Sequence, residues 1–209
     1  MMSTSSDAPP LRRVVVATGN AHKVEEIAAA LSDAGYEFIA ATDVGDWPEP
    51  DETGETFIDN ARIKAHAARE LYGLPVLADD SGLEVDPLDG EPGVYSARYA
   101  GPCATDAENN SRLLLALAGI PADQRTARFR SVLVFLAEDG SEVVAEGTCE
   151  GIIGDAPRGE GGFGYDPLFL PDATPGRAMA ELSMAEKNAI SHRGAALTVL
   201  HAKLTDTTE

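Results

Sequence analysis

Arg12-Arg13-Val14-Val15-Val16-Ala17-Thr18-Gly19-Asn20 is the stretch that decides the fold. The β-branched, apolar run at its centre is the kind that fills a buried strand. It breaks at Thr18-Gly19-Asn20, after which Val24, Ile27, Ala28 and Leu31 recur at helical spacing. The chain therefore opens strand, tight loop, helix, the first unit of an α/β protein.

The rest of the chain extends this pattern. Residues 36–41 read as a second strand, and the polar, Pro-bearing stretch 43–55 as an exposed loop. Phe57, Ala61, Lys64, Ala65, Ala68 and Leu71 mark a helix of about four turns, closed by Gly73 and Pro75. Residues 75–78 predict a short apolar strand ending at Asp79-Asp80-Ser81-Gly82. Thr105-Asp106-Ala107-Glu108 is a capping-box pattern opening a helix to Ala118. Residues 129–137 and 142–153 read as two long strands joined by a hairpin turn at Asp139-Gly140. Ser183-Met184-Ala185-Glu186 is a further capping box, opening one final helix through Ile190, Ala195, Leu197 and Leu200. This order predicts an α/β fold with a mixed sheet.

The 209 residues fit one large domain or two small lobes sharing a sheet. A net charge of −19, from 35 acidic and 16 basic residues, excludes a protein that coats DNA or RNA, because phosphate binding depends on a basic surface. It leaves room for a small anionic substrate where the few cations converge and a divalent metal helps. No apolar run approaches the ~18–20 residues that span a bilayer, so no membrane partner is expected. Residues 1–10 are Ser/Pro-rich and lack a signal-peptide pattern. The expected layout is a disordered extension over 1–11, a single domain over 12–204 and a short tail over 205–209. Cys103 and Cys149 form neither a metal-binding pair nor a disulfide framework and read as packing residues of a cytoplasmic protein.

Several segments carry chemistry. Thr18-Gly19-Asn20-Ala21-His22-Lys23 precedes a helix, where backbone N–H groups seat a phosphate, glycine permits close approach and Lys23 adds charge. A plain turn with an Asn cap accounts for the same residues. Asp79-Asp80-Ser81-Gly82 ends a strand, and adjacent carboxylates there favour Mg²⁺. Strand alternation points the two aspartates in different directions, so one of them leads the chemistry. Glu52 and Glu55 precede a helix, as metal ligands or as helix-dipole partners. Lys64, within that helix, reads as a solvated lysine. Gly161-Gly162-Phe163-Gly164-Tyr165-Asp166-Pro167 sets two aromatics among glycines, suited to stacking on a planar base or to plain hairpin packing. Lys187, His192 and Arg193 cluster near the last helix; with only four lysines in the chain, the motif-like settings of Lys23, Lys64 and Lys187 stand out.

Taken in order, these segments resemble the inosine triphosphate pyrophosphatase family, the non-canonical purine NTP pyrophosphatases. The matching pieces are Thr18-Gly19-Asn20 with Lys23, Glu52-Thr53-Gly54, Thr56-Phe57 with Asn60-Ala61 and Lys64, and Ala78 to Leu83. They continue with Gly93-Val94-Tyr95-Ser96-Ala97-Arg98, residues 161–167, and Ile190-Ser191-His192-Arg193-Gly194. The resemblance covers residues 12–204. It implies a two-lobed α/β protein on a long mixed sheet with the nucleotide in a cleft between lobes, acting as a homodimer. It further implies Mg²⁺-dependent hydrolysis of ITP, dITP and XTP to the monophosphate and pyrophosphate, keeping deaminated purines out of DNA and RNA. By carry-over, Thr18, Gly19, Asn20, Ala21, His22 and Lys23 hold the triphosphate. Glu52 and Asp80 bind Mg²⁺, and Asp80 matches the general base. Ser81, Phe163, Gly164, Tyr165, Asp166, Lys187, His192 and Arg193 contact the nucleotide. His22 departs from the pattern, standing at a commonly glycine position. Three other readings fit the residues less well. A Maf-like pyrimidine nucleotide pyrophosphatase is opposed by His192-Arg193 and residues 163–166. A non-catalytic nucleotide-binding module does not require Glu52, Asp80, Lys23 and Lys187 together. A kinase lacks its Walker A or second-substrate motif.

Overall fold

Strand β1 (Arg12–Val16) lies between β2 (Tyr36–Ala40) and β3 (Val76–Val85), parallel to both. Its three valines are buried on both faces, as a β-branched run in a central parallel strand requires. From β3 the sheet turns antiparallel through β4 (Thr126–Leu136), β5 (Glu142–Ile153) and β6 (Phe169–Pro171), giving the order β2-β1-β3-β4-β5-β6. This computed structural model describes residues 11–206, except the side chain of His22. Most of the expected N-terminal extension and residues 207–209 lie outside the described residues.

Among the described residues six α-helices flank the sheet: α1 (Ala21–Ala30), α2 (Ala41–Val44), α3 (Phe57–Tyr72), α4 (Asp106–Ala116), α5 (Met184–Ile190) and α6 (His192–Asp206). Helix α3 starts where Thr56 accepts the Asp59 N–H and stops where Gly73 takes a left-handed conformation at φ 67°. The Thr105/Glu108 and Ser183/Glu186 capping boxes both form. Among the described residues no helix is long and apolar enough to cross a membrane.

Four expectations change. The strand expected over 75–78 continues to Val85, so Asp79 and Asp80 lie mid-strand, opposite Leu133 and Val132 of β4, rather than at a strand end. The expected single C-terminal helix is two: Ser191 adopts an extended conformation (φ −71°, ψ 153°), and its hydroxyl accepts the Gly194 N–H, closing α5 and starting α6. Helix α6 then continues to Asp206, into the expected tail, and the loop expected from residue 43 begins after α2.

Strand alternation builds three cores. Val15, Ala17, Val76, Ala78, Val132 and Val134 face α3. On the opposite face, Val14, Val16, Leu77, Leu133 and Phe135 pack under α1 and α6. Farther along that face Leu83, Val85, Ala127, Phe129 and Ile153 pack with Leu113 of α4 and with Leu117, the residue that caps its C-terminus. Between these last two cores lies a polar band: Asp79 and Ser81 of β3, Ser131 of β4 and Gly147 of β5, with Ser81 opposite Ser131 and Ser131 opposite Gly147. A Cβ on Gly147 would run into the His192 carbonyl and the Ala196 nitrogen, so its lack of a side chain lets the start of α6 lie directly on the sheet.

Candidate active site

The parallel pairing of β1 with β3 ends at Val16–Leu77, and beyond it the first loop leaves the sheet. The edge of β3 from Asp79 to Gly82 therefore opens into a cavity of about 410 Å³. Because neighbouring residues of a strand point to opposite faces, this edge delivers the two aspartates into two different networks.

Asp79 points toward α1 and α6. Its carboxylate is engaged by Lys23 Nζ at 2.9 Å, by Arg193 Nε at 3.1 Å and by Ser131 Oγ at 2.9 Å. Burial alone would raise its pKa; the charges of Lys23 and Arg193 outweigh that and hold it far below the usual carboxylate range. Arg193, only 2% exposed, also donates to Glu26 of α1 at 2.7 Å and to Ser81 Oγ at 3.3 Å.

Asp80 points toward α3, where Lys64 Nζ reaches Asp80 Oδ1 at 2.6 Å and Glu52 Oε1 at 3.0 Å. Lys64 is 4% exposed, contrary to the expected solvated lysine: it sits with Ala61, Ala65 and Ala68 among the buried residues of α3, and its charge is met by the two carboxylates. Burial raises the Asp80 carboxyl, Lys64 opposes it, and the neighbouring Glu52 and Asp79 carboxylates add to the rise. Glu52 moves the other way: burial would raise it, but Lys64 and the Arg98 guanidinium, 2.7 Å from Oε2, bring it down. The Glu52 loop is anchored by Asn60, whose Oδ1 accepts the Gly54 N–H at 2.8 Å.

The first loop closes one end of the cavity. Asn20 Oδ1 and its carbonyl both accept the Lys23 N–H, capping α1. No atom lies within 4 Å of the Cβ position of Gly19, leaving an open approach to the backbone.

An aromatic wall closes the other end. His192 stacks on Phe129 with ring centroids 4.9 Å apart and planes 15° apart. Burial, reinforced by Arg193, holds the His192 pKa well below its ordinary value, so the ring is neutral, and its Nδ1 is buried with no hydrogen-bond partner. Phe163 is 39% exposed, with Lys187 Nζ 4.4 Å from its ring centre. Lys187 also pairs with Asp166 at 2.6 Å, and Asp166 accepts the Phe163 N–H. Tyr165 donates its hydroxyl hydrogen to the Ser96 carbonyl at 2.8 Å.

The structure thus brings Thr18, Gly19, Asn20, Lys23, Glu52, Asp80, Ser81, Phe163, Gly164, Tyr165, Asp166 and His192 to one cavity. Ala21, Lys187 and Arg193 do not line it; the last two stand behind Phe163 and Asp79, held by carboxylates. The side chain of His22 lies outside the described residues. Sequence reasoning singled out Lys64 without giving it a role in the site, and it did not assign Asp106, Asn109 or Phe129 to the site; all four line the cavity. The available signal was polar Asn109 and Asn110 on the buried side of α4.

A model of the Ham1 family matches residues 14–203. A dITP/XTP pyrophosphatase of Methylococcus capsulatus is 53% identical over 195 residues, 92% of this chain and 96% of the relative. One from Haemophilus influenzae is also 53% identical over 195 residues, 92% of this chain and 99% of the relative. The solved structure of a HAM1 protein from Coxiella burnetii matches with a TM-score of 0.83 at 44% identity, covering 93% of this chain and 99% of that one. A nucleoside-triphosphatase / dITP/XTP pyrophosphatase from Mycobacterium abscessus matches with a TM-score of 0.74 at 44% identity, covering 90% and 97%.

Proposed function

This chain belongs to the Ham1 family, and we propose that its cavity hydrolyses the non-canonical purine nucleotides dITP, ITP and XTP to the monophosphate and pyrophosphate, with magnesium as cofactor. The reaction keeps deaminated purines out of DNA and RNA. The observation that carries this reading is the convergence of Asp80 and Glu52 on one ammonium, in a cavity with a helix-capping loop at one end and an aromatic wall at the other.

The donor set suits the metal. Two carboxylates that already share one cation are close enough to share another, and all-oxygen donors fit a hard divalent ion. Two carboxylates supply only part of a coordination shell, which suits an ion that keeps waters and takes phosphate oxygens for the rest. When bound, magnesium offsets phosphate charge and acidifies the attacking water.

The chain's own residues do the rest. Asp80, its carboxyl raised by burial, accepts the water's proton. Lys64 fixes the Asp80 and Glu52 oxygens beforehand, so little reorganisation accompanies the reaction. The first loop, with its open backbone at Gly19, and the Lys23 ammonium hold the triphosphate in line and offset charge on the departing pyrophosphate. Phe163, Phe129 and His192 flank the base. Oxo purines carry an acceptor at C6, whereas adenine carries a donor; donors at this wall, His192 and backbone N–H groups, favour the former. Arg193 supports this wall from behind.

Product analysis tests the reading. Incubation with Mg²⁺ and ITP, XTP, GTP, ATP and pyrimidine triphosphates should give one monophosphate per pyrophosphate from ITP and XTP, and nothing after chelation. Release of inorganic phosphate in place of pyrophosphate contradicts it. The proposal includes a cytoplasmic homodimer, which light scattering reads as twice the 21.9 kDa chain mass.

A further inference from the structure

The aromatic wall hangs from one turn of α4. Asp106 Oδ2 accepts the Gly164 N–H at 2.7 Å, and Asn110 Nδ2 donates to the Gly164 carbonyl at 2.8 Å. Both polar groups of one peptide residue are thus held by two side chains four positions apart, on the same helix face. Packing does not hold this glycine: its φ is +60°, and no atom lies within 4 Å of its Cβ position. Between the two, Asn109 accepts the Ala100 N–H at 2.8 Å and donates to the Ala97 carbonyl at 3.1 Å. The same turn therefore also ties down the segment that brings Arg98 to Glu52.

Asn110 is 7% exposed, and its Oδ1 is buried without a hydrogen-bond partner. Packing alone would favour an apolar side chain there, since the amide strands its own acceptor. The amide makes sense as a donor to Gly164.

We propose that Asp106 and Asn110 are positioning residues for base recognition: by clamping both sides of Gly164 they set where the Phe163 ring and the 163–166 peptide groups meet the purine. The inference rests on the nucleotide pyrophosphatase reading given above. It assigns the clamp to base affinity and selectivity, because the carboxylates and Lys23 belong to other elements.

The test compares Asp106→Ala, Asp106→Asn and Asn110→Ser in the full chain. Asp106 is exposed, and Thr105 and Glu108 keep the helix cap, so Asp106→Ala removes the clamp without opening a cavity. Asp106→Ala should raise the KM for ITP about tenfold, the equivalent of one lost charge-assisted hydrogen bond, and Asn110→Ser, which loses a bond between neutral groups, by a few-fold, each with a smaller fall in kcat and a narrower ITP/GTP ratio. Asp106→Asn keeps an uncharged acceptor for the Gly164 N–H and should recover most of the KM. Hydrogen exchange at the Gly164 amide should quicken in Asp106→Ala and return toward the intact rate in Asp106→Asn. An unchanged KM and selectivity in Asp106→Ala, or equal impairment of Asp106→Asn, overturns the clamp. If the intact chain makes no monophosphate from ITP, the functional reading fails, and the exchange rates still decide the clamp alone.

Discussion

The ammonium of Lys64 lies 2.6 Å from Asp80 Oδ1, with both side chains buried, and the same nitrogen reaches Glu52. Two carboxylates this close repel one another unless a cation stands between them. The lysine is therefore part of the architecture that makes a metal site possible, as well as a charge in the cavity. Lys64→Met should leave Asp80 and Glu52 facing one another without a cation. Removing one partner of a buried ion pair costs roughly 3–5 kcal/mol. Urea denaturation should show a loss of that order, partly recovered by added Mg²⁺. Unchanged stability would mean that solvent already screens the pair.

Asp80→Asn and Asp79→Asn should fail in different ways. Asp80→Asn keeps shape but loses the proton acceptor, so kcat should fall by ~10²-fold or more in a folded protein. Asp79→Asn leaves Lys23 and Arg193 without their shared counter-charge in a buried place, so its main loss should be stability. Paired measurements of kcat and the urea midpoint separate the two; a folded Asp80→Asn with near-normal kcat would remove the assigned base.

His192 gives a pH dependence with a definite sign. Its folded-state pKa is held well below the ordinary value near 6.5 by burial and Arg193. Below that value the unfolded chain binds a proton that the folded chain refuses. Its contribution is thus fully present above about pH 6.5 and falls with pH beneath it, by at most ~1.4 kcal/mol per pH unit. Between pH 7.5 and 5.5 the intact protein should lose more stability than His192→Phe, which keeps a ring on Phe129. Parallel losses in the two proteins would mean that His192 is protonated in the fold.

Gly147→Ala should separate α6 from β5. The added carbon would meet the His192 carbonyl and the Ala196 nitrogen, both backbone atoms that cannot swing aside. A loss of about 1–3 kcal/mol is expected from such overpacking, with weaker ITP binding as His192 shifts. A melting temperature within a degree of the intact protein would show that α6 tolerates the displacement.

What the sequence disclosed and what it concealed have physical causes. Val14 to Asn20, the helical spacing from Phe57 to Leu71, Gly73 and Asp139-Gly140 are local signals, and each element they predicted is present. The length of β3 was hidden because two aspartates in a buried strand look like a strand end. Their charges are met by Lys23, Lys64 and Arg193, which arrive from α1, α3 and α6, and no local pattern encodes that meeting. The break between α5 and α6 did have a local mark in Ser191, but the apolar spacing ran through it. Within the cavity, Glu52, Asp80 and Lys23 were singled out by the motifs that carry the family resemblance, whereas Asp106 and Asn110 were not. They act on the backbone of a glycine more than fifty positions away.

Recognition of an oxo purine, with its triphosphate split at pyrophosphate, stands or falls on steady-state kinetics with ITP and ATP at equal Mg²⁺. The kcat/KM for ITP should lie at least ~10²-fold above that for ATP, as expected when an adenine amino group meets donors arranged for an oxygen. Equal values for the two nucleotides would contradict it.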